Sequence, residues 1–138
     1  KGISTLDVMK SLKKENIKMN ITAVFELEQV EEIISVLSET ESIISVFSGR
    51  LFDIGLNAVT ITKSISKLVH GNSSCKVLWA STRMLYDIHN AINAECDIIT
   101  IGTPFIKKLN LFDKSPGEYS LETVKMFYED AVNAKYSI

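Results

Sequence analysis

The chain alternates between two kinds of pattern. Short strand-like runs lie near residues 18–25, 43–47, 76–80 and 97–101, and each is followed by a stretch with apolar residues at helical spacing. This constrains the fold most, because strands alternating with helices build parallel sheets joined by right-handed crossovers. In the first run, strict alternation puts Asn20, Thr22 and Val24 on one face and Ile21, Ala23 and Phe25 on the other.

The helical stretches can be placed by their apolar faces and punctuation. Leu6, Met9 and Leu12 form the first face, with Ser4 or Thr5 as cap and Asn16 as a left-handed stop. Leu27, Val30, Ile33, Ile34 and Leu37 define a helix over residues 27–37, whose early Glu28, Glu31 and Glu32 suit the helix dipole. Ser48, Gly49 and Arg50 are expected to leave the second strand as a loop. Helices follow over about 59–69, ended by Gly71, and over 84–94 on Leu85, Ile88 and Ile92. Pro104 suits a first helical turn. Ser115, Pro116 and Gly117 read as a break, and Ser120 as the cap of a last helix on Leu121, Val124, Phe127 or Tyr128, and Ala131.

The order α-βα-βα-βα-βα-α fits two α/β architectures, a small doubly wound sheet or half of a TIM (β/α)8 barrel. Periodicity alone does not separate them. No glycine-rich phosphate fingerprint follows the first strand, which weakens a dinucleotide-binding reading. Asn20, Thr22, Ser45, Arg50, Ser81 and Arg83 are the polar exceptions within or just past apolar strands. A polar group there costs free energy unless it is paired or used. They are expected at or near carboxyl ends of strands, where barrel enzymes carry their chemistry.

Composition narrows the function classes. The length of 138 residues suits one domain, and 46% apolar residues suffice for a core. A net charge of -2 argues against nucleic-acid and anionic-membrane partners. No apolar run is long enough to span a membrane, and no signal-peptide pattern is visible. Cys75 and Cys96 read as free thiols of a reducing cytosol, and His70 and His89 as solvated side chains without metal-ligand spacing. Trp79 is expected to fill a barrel interior or pocket floor. Lys10, Lys13 and Lys14 form a wet helix face.

Three ordered motifs carry a family resemblance. Residues 20–25, Asn-Ile-Thr-Ala-Val-Phe, followed by Leu27, Glu28, Gln29 and Val30, resemble the fifth-strand motif of transaldolases. Residues 45–51, Ser-Val-Phe-Ser-Gly-Arg-Leu, with Asp53 and Gly55, resemble their sixth. Residues 78–83, Leu-Trp-Ala-Ser-Thr-Arg, resemble their seventh, and residues 120–128 are similar to the tail of short bacterial transaldolases. The resemblance covers essentially the whole chain, with Glu26, Phe52, Gly102 and Thr103 as departures near the site.

The resemblance implies residues 1–138 as the C-terminal half of a single barrel domain, about strands 5–8. It implies transfer of a dihydroxyacetone unit from a ketose phosphate to an aldose phosphate through a Lys Schiff base, without cofactor or metal. The Schiff-base Lys would lie upstream of residue 1. Asn20 would hold a substrate hydroxyl and Thr22 a catalytic water. Ser45 would touch a substrate hydroxyl, and Phe47 would wall the pocket. Arg50, Ser81 and Arg83 would hold the phosphate, as a planar guanidinium fork suits. A cytoplasmic enzyme of sugar-phosphate metabolism is expected. Its open sheet would be closed by an N-terminal segment or by a second copy of the chain. The alternatives are a fructose-6-phosphate aldolase-type enzyme and a non-catalytic phosphate-binding or regulatory module.

Overall fold

A computed structural model of the chain describes residues 4–135. The chain divides into two compact units, one up to Phe105 and one from Ile106. The first unit holds a four-stranded sheet of β1 (Asn20–Val24), β2 (Ile43–Val46), β3 (Lys76–Trp79) and β4 (Ile98–Ile99). All its pairings are parallel, and the strands lie in the order β1-β2-β3-β4. Each crossover therefore steps to the next strand in the same direction, and right-handed crossovers of that kind keep their helices on one face. The helices agree. α2 (Leu27–Leu37) packs between α1 (Leu6–Lys14) and α4 (Ala58–Asn72), and α4 packs on α5 (Asp87–Asn93). A doubly wound sheet would reverse direction at a switch point, and this sheet does not.

The core lies between the sheet and these helices. Ile44, Val46, Val77 and Trp79 from the strands meet Val30 and Leu37 of α2, Ile65 and Val69 of α4, and Ala91 of α5. Full burial of each large apolar side chain is worth about 1.5–3 kcal/mol. Short α3 (Ser48–Asp53) replaces the loop expected after β2, its buried Ser48 hydroxyl 2.8 Å from that of Thr62. Asn57 caps α4 by accepting from the Thr60 N–H at 3.2 Å, and α4 runs through Gly71 instead of stopping there.

One irregularity changes which side chains face the core. Asn20 and Ile21 pair with Ile43 and Ile44, but Val24 pairs with Val46. Thr22 and Ala23 thus occupy the space opposite Ser45 alone, with Ala23 in the left-handed region at φ 60°. This β-bulge sends Val24 to the core side with Ile21, away from the face of Asn20 and Thr22 on which strict alternation put it. Trp79 is also corrected. It is fully buried on the helix side, its ring 6.1 Å from that of Phe52, and does not floor a barrel interior.

At the amino ends of the strands the side chains are charged. Lys18 pairs with Glu41 at 2.5 Å, and this hydrogen bond holds the Glu41 carboxyl below its usual range. His70 is not simply solvated, since its Nε2 lies 2.9 Å from Asp97 Oδ2. Burial pushes the Asp97 pKa up, but the bonds from His70 and the Val77 N–H, with the charges of His70 and Lys76, outweigh it and leave it lowered. Burial pushes the Cys96 thiol up to about 11 and raises Cys75, so neither is an activated nucleophile.

Short α6 (Thr103–Ile106) follows β4. The second unit carries a 3-10 turn (Leu109–Leu111) and α7 (Pro116–Asn133). Ser115, rather than Ser120, caps α7. Its hydroxyl accepts from the Glu118 N–H at 3.2 Å, and Glu118 completes a reciprocal capping box. Pro116, in the first turn, opens this helix and does not break it. Among the described residues no helix is long and apolar enough to cross a membrane.

Candidate functional site

Asn20 and Ser45 share the sheet face opposite the one packed against α2, α4 and α5, whereas Thr22, on the bulge, lines a hollow with Met9 of α1 and Gln29 and Ile33 of α2. Ser45 is buried and donates its hydroxyl hydrogen to Asn20 Oδ1 at 2.6 Å. That bond occupies the amide oxygen and leaves the Asn20 NH2 as a donor pair. Asn20 opens β1 rather than closing it, so it sits deeper along the strands than the carboxyl-end placement expected from sequence. Thr22 is exposed on the bulge. Bulges are frequent beside active sites because they re-aim side chains.

The other candidates lie past the carboxyl ends of β2 and β3. Phe47 leaves β2 half-buried, edge-on to Phe25 at 5.9 Å, with the Arg50 guanidinium 5.4 Å from its ring centre. Ser81 leaves β3 in the left-handed region, at φ 63°. The two strand exits touch through Gly49. Its N–H donates to the Ala80 carbonyl at 3.2 Å, and its α-carbon faces the Ser81 carbonyl and the Arg83 stem. Gly49 thus brings the Arg50 segment against the Ser81–Arg83 segment.

Arg83 is tightly held. Its Nε donates to Asp53 Oδ1 at 3.1 Å and its Nη2 to Asp53 Oδ2. Its backbone N–H donates to Asp87 Oδ2 at 2.7 Å, as does that of Met84 at 3.2 Å. Asp87 is fully buried and accepts from the Asn90 side chain at 2.9 Å. These bonds hold residues 83–86 as a turn, so α5 begins at Asp87 and not at Met84. Asp53 and Asp87 are absent from the sequence-predicted site. Asp53 is within the second motif, but nothing in the spacing pairs it with Arg83.

The arrangement thus offers amide and hydroxyl groups on the sheet face and two guanidinium groups beyond the strand ends. Among the described residues, no group of three or more His, Cys, Asp or Glu is placed to hold a metal ion. A groove of about 600 Å³ between the start of α2 and residues of α3 and α4 is lined by Phe25, Leu27, Leu51, Ile54 and Leu56, and contains none of the seven candidates.

The family described as Transaldolase/Fructose-6-phosphate aldolase matches residues 3–138. A probable transaldolase of Exiguobacterium sibiricum is 30% identical over 105 residues, covering 75% of this chain and 47% of that protein. A probable transaldolase of Clostridium botulinum is 34% identical over 98 residues, covering 70% of this chain and 44% of that protein. The chain spans about half the length of the curated relatives it matches. With the match extending over nearly every residue, the chain belongs to the transaldolase/fructose-6-phosphate aldolase family.

Proposed function

We propose that these residues form the C-terminal half of a (β/α)8 barrel, and that the completed enzyme is a cytoplasmic transaldolase acting on sugar phosphates. The observation that carries this reading is the hydrogen bond from Ser45 to Asn20 across β2 and β1. It leaves the Asn20 amide NH2 as a donor pair on the sheet face, as a polyhydroxylated substrate requires. Strand order supports the barrel, since four consecutive parallel strands without a switch point are what half of one contains.

In this reading a Lys outside these residues condenses with the ketose carbonyl, losing water to give an iminium. The C3–C4 bond breaks, its electron pair flows into the iminium to form an enamine, and the C4 hydroxyl proton leaves through water held by Thr22. Asn20 donates to a substrate hydroxyl, and Ser45 fixes the Asn20 amide. Phe47 walls the pocket. Arg50, Ser81 and Arg83 take the phosphate. The enamine carbon then attacks the aldehyde of an aldose phosphate, the aldehyde oxygen takes a proton back from water, and a water hydrolyses the re-formed iminium to release the new ketose phosphate and free the Lys amine. Lys76, the one described Lys within a strand, sits at the amino end of β3, where its charge acts on Glu41 and Asp97.

The test is turnover of fructose 6-phosphate by the native polypeptide, with and without an aldose-phosphate acceptor. Acceptor-dependent turnover supports the transferase, and acceptor-independent release of dihydroxyacetone would give the aldolase instead. Arg83→Ala is expected to weaken phosphorylated substrates by about 1.5–3 kcal/mol, the loss of a charged hydrogen bond. Equal loss for fructose and fructose 6-phosphate would remove the phosphate role.

A further inference from the structure

We infer that Asp53 is a positioning residue that pre-sets the phosphate-binding edge of Arg83, an inference resting on the phosphate role proposed for Arg83 above. A guanidinium has five N–H donors in a rigid plane. Asp53 takes Nε–H and one Nη2 hydrogen, which together make the side edge. The end edge, formed by Nη1 and the second Nη2 hydrogen, makes no bond among the described residues. That edge has the parallel pair of donors that a phosphate takes bidentately.

The rest of the arginine is fixed as well. Asp87 holds its backbone N–H, and its Cγ packs against Gly49, 3.1 Å from where a Cβ would stand. The Asp53 pair is about half exposed, at 41% for Arg83 and 49% for Asp53, so it adds little to folding. Its effect is on the arginine's freedom. An unpaired arginine samples many rotamers and loses that freedom when it binds. Asp53 imposes the loss beforehand and aims the free edge.

Kinetics of the native polypeptide test this, with fructose 6-phosphate and fructose as substrates and inorganic phosphate as inhibitor. Asp53→Ala is expected to raise KM for fructose 6-phosphate and Ki for inorganic phosphate by about three- to tenfold, the cost of re-ordering one long side chain. kcat and activity on fructose should stay unchanged. Asp53→Asn keeps one acceptor oxygen and should recover part of the loss. A lower or unchanged KM for Asp53→Ala, or equal loss on both sugars, overturns the inference. Arg83→Ala separates the two levels. If Arg83→Ala raises KM and Asp53→Ala does not, only the positioning role falls. If neither does, the phosphate role of Arg83 falls with it.

Discussion

Gly49→Ala is expected to destabilise the fold by about 3 kcal/mol or more, at the upper end of what overpacking a tight contact costs. A Cβ on Gly49 would overlap the Ser81 carbonyl oxygen and stand 2.7 Å from its carbonyl carbon and 3.1 Å from Arg83 Cγ. Both Ser81 atoms are backbone, so no rotamer change relieves the overlap. Ser81 is already in the left-handed region, and the Ala80 carbonyl accepts from the Gly49 N–H. Relief therefore requires the exits of β2 and β3 to separate. Urea unfolding measures the loss. Gly71→Ala is the control, because a Cβ there meets nothing within 4 Å and the position is helical. It should gain about 0.5–1 kcal/mol. Similar effects for the two substitutions would refute the close approach of Gly49 to Ser81.

Trp79→Ala should cost about 3–5 kcal/mol, the range for removing a large buried aromatic. Trp79 is fully buried between the sheet and the helices. Its indole Nε1–H finds no hydrogen-bond partner among the described residues. A buried donor without a partner carries a desolvation penalty of about 1–3 kcal/mol. Trp79→Phe removes that donor while keeping a ring against Phe52, and should therefore cost far less than Trp79→Ala. Comparable losses in chemical denaturation would mean that packing alone explains Trp79.

The strands, their order and most of α1, α2 and α4 were legible because each rests on local periodicity. Val30, Ile33 and Leu37 recur at helical spacing whatever lies around them. The errors arise where one residue acts across the chain or interrupts a period. The bulge at Thr22 and Ala23 reverses the facing of Val24, and alternation contains no sign of it, since Ala is an ordinary strand residue with no bias toward φ 60°. The start of α5 shifts because Asp87 accepts from Arg83 and Met84, a bond pattern that helical spacing does not encode. The candidate residues were named from their motifs and their places in the strands. Their partners were not, because Asp53 and Arg83 are 30 positions apart and only folding joins them. Gly49 was read as part of a loop, while its value lies in the Ser81 carbonyl it admits.

In the function proposed above, these residues supply the hydroxyl- and phosphate-binding side of a Schiff-base enzyme whose reactive Lys lies outside them. Borohydride reduction in the presence of fructose 6-phosphate, read by mass spectrometry of the intact protein and its peptides, tests it most directly. The 138-residue polypeptide alone should gain no sugar fragment, and Lys76, the one described Lys within a strand, should stay unmodified. The same residues extended upstream in their native reading frame should gain one fragment, on a Lys preceding residue 1. Labelling of Lys76 or any other Lys within the 138 residues, accompanied by turnover, would contradict the account, as would an unlabelled extended protein.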